Sequence, residues 1–380
     1  MDLFVTCTGD KQVTTNRLYI NNGKGELASV SLESSAQNGS CVKPCDFDGD
    51  GDMDIFIGTR SDVNTYGITA KSHLLKNEKG IFKDVTPQYF DNKGLIGMVT
   101  DAVWVDLNGD KRPELIVVGE WMPITIFYNA GDHFEETDME NTSGWWNCVT
   151  AADMDNDGDN DLLLGNMGLN SNWQASRTQP MSLYVKDFDG NGDKEPIISY
   201  YRQGIEWCYN SKDELTAQMP ELKKRFADYT PFSKSPFEQI FTKEMLKGAV
   251  KKQIRMFSSV YIENNGNGDL ELKTLPLETQ FSTVNAILVD DFDGDGFKDV
   301  ALGGNFYEMQ PSIGRFDASY GSILRGDGKG NFTPLSPLQT GFVLRGAVRD
   351  IKKVENKLVV AANNRPLQIF EIKKLKKEKK

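Results

Sequence analysis

Short apolar runs recur along the chain, and each is bounded by glycine, asparagine or aspartate. Ile55–Gly58, Leu162–Gly165 and Val300–Gly303 are three of them, and each ends on glycine. Runs of this length between turn residues are typical of β-strands rather than of helices. The pattern therefore predicts an all-β protein.

A second pattern joins two such strands through a tight turn that is rich in asparagine and glycine. It occurs at Leu18–Glu26, Leu74–Phe82, Tyr261–Asp269 and Leu324–Phe332. Glycine and asparagine accept the positive φ angles that a tight β-hairpin requires. We therefore expect each repeated unit to be a four-stranded antiparallel sheet whose last two strands form this hairpin.

An acidic loop joins the first two strands of each predicted unit. Asp46–Asp54 reads Asp-Phe-Asp-Gly-Asp-Gly-Asp-Met-Asp, and related loops start at residues 106, 153, 187 and 291. Alternating oxygen ligands followed by a glycine match the spacing of a calcium loop. The predicted Ca²⁺ ligands, with a main-chain carbonyl at the seventh position, are Asp46, Asp48, Asp50, Asp52, Asp54, Asp106, Asn108, Asp110, Glu114, Asp153, Asp155, Asp157, Asp159, Asp161, Asp187, Asp189, Asn191, Asp193, Glu195, Asp291, Asp293, Asp295, Phe297 and Asp299.

The spacing of these loops predicts the architecture. A degenerate copy without ligands lies at Asp350, and Asp2–Thr6 resembles the end of a further, truncated copy. Four-stranded units that repeat at such intervals predict a β-propeller. We expect one domain over residues 1–380 with seven blade positions, six or eight remaining open. The close loops at 153 and 187 indicate a shortened blade, followed by a blade that carries an insertion.

Residues 211–250 break the β-pattern and predict a helical insertion. Ser211–Glu214 and Ser235–Glu238 are capping boxes, and apolar residues follow each at helical spacing. The apolar stripe has two interpretations at this stage: it packs against the propeller, or it forms a surface for a partner.

Composition excludes several classes of protein. The net charge of −12 does not suit the phosphate backbone of nucleic acids. No apolar run is long enough to cross a bilayer. The five cysteines lack the spacing of a zinc site or a disulfide framework. We interpret the basic segment Lys373–Lys380 as a solvated terminus.

The motif Asp-x-Asp-x-Asp-Gly-x-x-Asp, followed by an apolar strand and glycine, resembles the FG-GAP/VCBS repeat proteins. Leu183–Gly192, Tyr261–Gly266, Val289–Gly296 and Gly314–Gly321 are similar to the C-terminal propeller of large VCBS-repeat proteins of Bacteroidetes. The resemblance covers essentially the whole chain. It implies a calcium-binding propeller like the integrin α-subunit head, with about three to five ions, in an exported or outer-surface protein that a missing N-terminal region could anchor. Lys111 in the second loop departs from the pattern.

In this architecture the calcium loops share one face, so the longer connections meet on the opposite face. Those connections carry aromatic rings beside amide and charged groups, which suit a sugar or a peptide. The same residues could instead pack the blades and satisfy loop backbones. The candidate ligand residues are Arg60, Tyr66, Trp121, Trp145, Trp146, Asn166, Asn170, Trp173, Asn305, Tyr307, Arg315, Asp317 and Arg365.

These observations predict a calcium-stabilised, non-catalytic binding or adhesion module for a glycan or a protein. One alternative is a propeller that supports assembly within a larger chain through its helical insertion. Another is a polysaccharide lyase or hydrolase. His73 and His133 are the two histidines, and no nucleophile signature accompanies either of them.

Overall fold

A computed structural model of the chain describes residues 2–6, 16–30, 39–266, 268–309 and 314–372. Cys7 and the basic segment Lys373–Lys380 lie outside the described residues. Within the described ranges the regular structure is mostly β-strand with a few short helices, and every strand pairing is antiparallel. No helix in these ranges combines the length and the apolar character needed to span a membrane.

The strands of the described residues form seven sheets, which we name in chain order. Sheet 1 contains β1 (Leu3–Val5), β2 (Arg17–Asn21) and β3 (Leu27–Val30). Sheet 2 contains β4 (Gly39–Cys45), β5 (Asp54–Thr59), β6 (His73–Glu78) and β7 (Ile81–Asp84). Sheet 3 contains β8 (Met98–Val105), β9 (Glu114–Met122), β10 (Thr125–Asn129), β11 (Phe134–Asp138) and β12 (Gly144–Trp145).

The next two sheets are nested. Sheet 4 begins with β13 (Cys148–Ala152) and β14 (Asp161–Gly165). The inserted sheet then follows, with β15 (Met181–Lys186), β16 (Glu195–Arg202), β17 (Ile205–Cys208) and β18 (Val250–Ile254). Sheet 4 is completed by β19 (Val260–Asn264) and β20 (Leu270–Thr274).

Two further sheets end the described chain. Sheet 5 contains β21 (Val284–Asp290), β22 (Asp299–Gly304), β23 (Ser322–Gly326) and β24 (Phe332–Leu335), and sheet 6 contains β25 (Val348–Val354), β26 (Lys357–Ala362) and β27 (Gln368–Glu371). The helices are α1 (Thr86–Tyr89), α2 (Lys212–Gln218), α3 (Pro220–Arg225), α4 (Tyr229–Ser233), α5 (Phe237–Ile240), α6 (Lys243–Leu246), a 3₁₀ turn at Leu277–Gln280, and α7 (Pro337–Thr340).

This nesting corrects the expectation of a shortened blade. Sheet 4 is a complete four-stranded sheet, because its second strand β14 pairs with β19 across the whole inserted segment. The inserted sheet has a different strand order, β17-β16-β15-β18, with its last strand returning beside its first. Helices α2–α6 lie between β17 and β18 and therefore belong to the inserted sheet.

Consecutive sheets pack face to face through continuous apolar clusters. Ile57 packs with Leu18 between sheets 2 and 1, Phe56 and Val99 share the cluster of sheets 2 and 3, and Ile116 and Leu164 share that of sheets 3 and 4. Further clusters join sheets 4 and 5 and sheets 5 and 6. Burial of these residues removes their side chains from water and is the main stabilising term of the fold.

The glycine that ends the second strand of a sheet allows this close packing. A Cβ on Gly165 would lie 2.4 Å from the main-chain oxygen of Val284, and one on Gly58 would lie 2.6 Å from Cγ1 of Val99. Both neighbours belong to the first strand of the next sheet. The glycine in the repeat is therefore required by contact between sheets.

The first strands of sheets 2 to 6 enclose a cavity of about 820 Å³, the central cavity. Lys43 of β4, Asp101 of β8, Thr150 of β13, Ile287 of β21 and Lys352 of β25 all line it. Polar residues can occupy these strands because their side chains alternate between the apolar sheet contacts and this space.

Isoleucine substitutions in sheet 6 test the packing between sheets. Ile351 is 1% exposed between sheets 5 and 6, whereas Ile369 of the same sheet is 61% exposed. We expect Ile351→Ala to lower the free energy of unfolding by about 2–5 kcal/mol, because it leaves a cavity in the contact. Ile369→Ala is the matched control and should cost less than about 1 kcal/mol in a chemical denaturation experiment. Equal losses would contradict this packing.

Candidate functional site

Each acidic loop is closed by its first aspartate. The Asp46 carboxylate accepts a hydrogen bond from the Gly51 amide at 3.0 Å, and Asp291 accepts one from Gly296 at 3.2 Å. These sixth-position glycines have φ angles of 92° and 101°, in the left-handed region. Lys111 occupies this position in the second loop with a φ of 71°, a conformation that disfavours a side chain. The second loop therefore forms the same turn as the other loops, but the positive φ of Lys111 costs conformational free energy.

The last acidic residue of each loop is buried and fastens the loop to its sheet. The carboxylate of Asp54, 1% exposed, accepts from the Phe47 amide within the loop at 3.3 Å and from the Asn77 amide of the hairpin at 2.8 Å. Asp161 and Asp299 make the corresponding pairs of hydrogen bonds. This residue thus joins three segments of its sheet.

Burial without a cation perturbs these carboxylates. Desolvation raises the pKa of Asp54 and of Asp299 to about 6, with repulsion from the neighbouring loop carboxylates adding to the shift. Burial and the nearby Asp161 raise the pKa of Asp155 to about 6 as well. In addition, Oδ1 of Asp46 is buried without a hydrogen-bond partner among the described residues. The loops therefore favour protonation or a bound cation.

Four loops bring three acidic side chains close enough to share one ion. In each group the potential ligand atoms lie within 4.8 Å of one another. Within the described residues the groups are Asp46, Asp48 and Asp50; Asp153, Asp155 and Asp161; Asp187, Asp189 and Glu195; and Asp291, Asp293 and Asp295. Carboxylate oxygens clustered in this way match the hard-oxygen coordination that Ca²⁺ prefers. The donor set therefore fits calcium.

Other predicted ligands lie outside these four groups. The side chains of Asp52, Asp159, Asp193 and Phe297 are at the seventh position, where the prediction concerns the main-chain carbonyl only. Asp157 is also outside its loop's group. In the first loop the Lys76 ammonium contacts the carboxylate of Asp48 and lies 3.2 Å from that of Asp50.

The second loop does not gather three acidic ligands in the described structure. The Arg112 guanidinium lies 2.8 Å from the Asp110 carboxylate and holds the pKa of that carboxyl below its usual value. Asn108 donates a hydrogen bond to Glu114 at 3.3 Å, and the Asp106 carboxylate accepts the Lys111 amide. The second loop therefore differs from the other four, and the metal site predicted there stays a prediction.

Glu120 organises the mouth of the central cavity, at the end of β9 remote from the second loop. Its buried carboxylate contacts the Arg60 guanidinium and accepts a hydrogen bond from the Tyr66 hydroxyl at 2.8 Å. The Trp121 indole donates to the same hydroxyl at 2.9 Å. Burial and Glu120 raise the pKa of Tyr66 well above its usual value, so the phenol stays neutral. Trp121 has a φ of 58°, a conformation that surrounding contacts must enforce.

A stack of aromatic rings continues from this mouth. Trp145 pairs with Glu120 in the sheet, and its ring lies 5.7 Å from that of Trp121. It stacks at 5.5 Å and 11° on Trp173, which contacts Tyr209 edge-on at 5.5 Å. Trp145 is half-buried and lines the cavity, whereas Trp121 and Trp173 are buried behind it. Trp145 is therefore the ring of this stack that lines the cavity.

Three predicted ligand residues are structural. Trp146 is fully buried, and its indole donates to the main-chain oxygen of Thr142 at 2.9 Å. Asn166 is also buried, and its side chain accepts the amides of Trp145 and Met167. The amide of Asn305 bridges two connections through main-chain oxygens. The polar atoms of these residues are used within the protein and their surfaces are covered, which favours the packing interpretation over ligand contact.

Five other candidates do not line the central cavity. The guanidinium of Arg315 lies 5.4 Å from the ring centre of Tyr307, in a cation–π contact. Asn170 donates to the main-chain oxygen of Phe281 at 3.2 Å. Arg315, Asp317, Asn170 and Arg365 are exposed. The structure thus brings Arg60, Tyr66 and Trp145 to the cavity and leaves these five around it.

Several cavity residues were not among the sequence candidates. Glu120 is the principal one, and the charged residues of the inner strands, Lys43, Asp101, Asp350 and Lys352, are the others. The sequence signal at Lys43 and at Asp101 is a single charged residue inside the first strand of a repeat. Asp350 and Lys352 are two charged residues at alternating positions of β25.

Comparison with known proteins supports the repeat at the level of sequence. The model of the FG-GAP-like repeat family matches residues 1–57, 46–117 and 106–164. No curated protein matches the chain significantly.

Solved structures resemble the chain weakly. The biofilm matrix protein Bap1 of V. cholerae matches with 10% identity and a TM-score of 0.34, over 94% of this chain and 73% of that one. Two structures of BBS1N in complex with ARL6DN match with 10% identity and TM-scores of 0.25, over 88% and 90% of this chain and 93% and 94% of theirs. The three family matches show FG-GAP-like repeats over residues 1–164.

Proposed function

We propose that this chain is a calcium-stabilised β-propeller that acts as a non-catalytic, carbohydrate-binding surface module. Sheets 1 to 6 would be its blades, and the inserted sheet a separate layer on one face. Support for the ring comes from the sequential packing of the sheets and from the five first strands that line one cavity. The insertion accounts for the difference between these six positions and the seven expected from loop spacing.

Calcium would occupy the four loops that gather three acidic ligands. Bound there, the ion would neutralise carboxylates that burial and mutual repulsion otherwise oppose, and it would hold the loop against its hairpin through the last acidic residue. Its role would be structural, because the loops at Asp46, Asp153 and Asp291 lie at the end of their sheets remote from Glu120 and Trp145.

The half-buried ring of Trp145 and the Arg60 guanidinium, which both line the cavity, are the observation that carries the binding proposal. The Arg60 guanidinium contacts the Glu120 carboxylate, and Trp145 pairs with Glu120 in the sheet. A ring offers an apolar face to the C–H groups of a sugar, while a guanidinium donates to hydroxyls in a fixed geometry. Thr283 and Asn147 also line the cavity, and each has a buried polar atom without a partner in the described chain. The site is thus preorganised for a polar ligand with one apolar face.

The proposal of a non-catalytic module rests on how the acidic groups are paired. Each carboxylate that lines the cavity is matched by a cation: Asp101 by Lys43, Asp350 by Lys352 and Glu120 by Arg60. Acid–base catalysis needs a carboxyl whose proton is free to transfer to substrate. His73 is buried against Asp84 at 2.8 Å, away from the cavity lining.

The alternative of an assembly scaffold depends on the helical segment, whose apolar face is largely used. Leu215, Leu222, Phe237 and Ile240 are buried with Ile197 of the inserted sheet. This favours packing of the helices on the inserted sheet over a partner surface.

A surface location agrees with the loop chemistry, because extracellular calcium modules operate at about 10⁻⁴–10⁻³ M Ca²⁺.

Calcium stoichiometry tests the four loops. Equilibrium dialysis should find about four Ca²⁺ per chain, and a chelator should lower Tm by more than about 5 °C, because the ion binds only the native state. Asp155→Asn should remove one ion. Asp159→Asn makes the same charge change in the same loop but keeps the main-chain carbonyl, so it should leave the stoichiometry unchanged. A Tm that changes neither with the chelator nor with added calcium would refute the structural role.

The raised carboxyl pKa values predict a pH dependence. For a carboxyl with a raised pKa, the contribution to stability is present below about pH 4 and is lost as pH rises through about 6. Calcium binds the deprotonated form and offsets that loss, whereas protons compete with it at lower pH. The rise in Tm on adding Ca²⁺ should therefore be larger at about pH 7.5 than at about pH 5. Magnesium, which demands a tighter octahedral shell, is the control ion. Equal rises at the two pH values would contradict this account.

Binding of oligosaccharides to the calcium-loaded protein tests the cavity. Trp145→Ala and Arg60→Gln should each weaken the tightest ligand of a glycan screen by about tenfold or more. Tyr307→Ala, outside the cavity lining, is the control. Release of new reducing or unsaturated ends would show catalysis and overturn the non-catalytic assignment. Ligand binding that survives both cavity variants would exclude this site.

A further inference from the structure

A second cavity lies in the inserted sheet, apart from the central cavity. This insert cleft has a volume of about 470 Å³ and runs between the β16–β17 hairpin and helices α4 and α5. Its volume is within the range of about 300–1,000 Å³ that is usual for ligand sites. None of its lining residues also lines the central cavity. It therefore needs its own explanation.

One wall of the insert cleft is a paired aromatic surface. Tyr200 of β16 lies directly opposite Trp207 of β17, so both rings project from the same face of the hairpin. Tyr209 contacts Tyr200 edge-on at 6.1 Å, and Phe232 of α4 contributes from the helical side. Tyr200 and Trp207 are half-buried rather than covered. The wall thus presents flat apolar rings to solvent.

Polar groups at this wall are free. Within the described chain, the Arg202 guanidinium, the Gln203 amide and the Trp207 indole N–H have no hydrogen-bond partner. Arg202 lies opposite the 44% exposed Ile205, on the same face as the aromatic pair. It is also the one charged residue among the described lining of the cleft, in a chain with a net charge of −12. Packing alone does not require the isolated cation of Arg202 beside the half-buried rings of Tyr200 and Trp207.

We propose that the insert cleft binds an acidic saccharide, with a pyranose ring on the Tyr200–Trp207 pair and its carboxylate on Arg202. Aromatic faces accept the C–H face of a sugar, and the guanidinium fork matches a carboxylate in a bidentate arrangement. A single cation suits a singly charged carboxylate better than a phosphate monoester, which carries nearly two charges. The indole N–H and the Gln203 amide would then bond ring hydroxyls.

This site is independent of the proposed central-cavity function, because the two share no lining residue. The rings Trp145, Trp173, Tyr209 and Tyr200 form a continuous series between them. Trp145, at one end of this series, lines the central cavity, and Tyr200, at the other end, lines the insert cleft. The insertion supplies a second site beside the first.

We suggest uronate trisaccharides as probes for the full calcium-loaded chain. They should cover the gluco, galacto and manno configurations, and each is compared with the neutral trisaccharide of the same configuration. Calorimetry should show tighter binding of at least one uronate than of its neutral counterpart. Arg202→Gln should reduce that affinity by about tenfold or more while leaving neutral binding unchanged. Trp207→Ala should weaken both probes by about tenfold or more. Tyr320→Ala, which removes a ring that is 60% exposed elsewhere, is the control.

Arg202 is exposed, so Arg202→Gln should have the same Tm as the parent protein. The test therefore stays valid even if Trp207→Ala unfolds the inserted sheet. Trp145→Ala separates the two sites, because it should leave uronate binding at the insert cleft intact. Equal binding of uronate and neutral sugars, or binding that Arg202→Gln does not change, would overturn the acidic ligand. No binding of any probe would overturn the site itself.

Discussion

The buried last carboxylate of each acidic loop is the constraint on which the rest of the fold depends. Asp54, Asp161 and Asp299 each accept one amide from their own loop and one from the following hairpin. This contact fixes the turn between the first two strands and positions the third strand beside them. A buried carboxylate is costly without a counter-charge, so a cation bound as proposed would be linked to the order of the sheet.

The same construction determines where the inserted sheet joins the fold. The acidic loops occupy one end of the sheets, and the glycine that ends the second strand brings the neighbouring sheet close. Chain that leaves the second strand emerges at the opposite end, and the inserted sheet begins there, after Gly165. Because of this placement, Met181 and Leu183 of the inserted sheet pack in one cluster with Trp121 and Trp145 of sheet 3. The inserted sheet carries an acidic loop of its own, at Asp187–Glu195.

Local features could be predicted from the sequence because local chemistry determines them. The hairpins follow from Asn and Gly in the turns, and Asp46–Asp54 and its relatives follow from ligand spacing. Long-range pairing could not be predicted: nothing local to β14 indicates that its partner is β19 rather than the next strand along the chain. Trp146 and Trp145 are adjacent in sequence, yet one is core and one lines the cavity, since burial depends on which neighbours the fold supplies. Arg112 is a surface residue, and its contact with Asp110 could not be predicted from its place in the loop.

Amide hydrogen exchange with and without calcium tests the central coupling most directly. The amides of Asn77, Asn264 and Gly326 donate to the last carboxylate of their loops, whereas those of the strand cores do not. If the loop cation and the sheet are linked as described, chelation will accelerate exchange at these three amides and at their loops well before the strand cores respond. Unchanged protection of these amides after calcium removal would contradict the coupling and leave the loops as ordinary acidic turns.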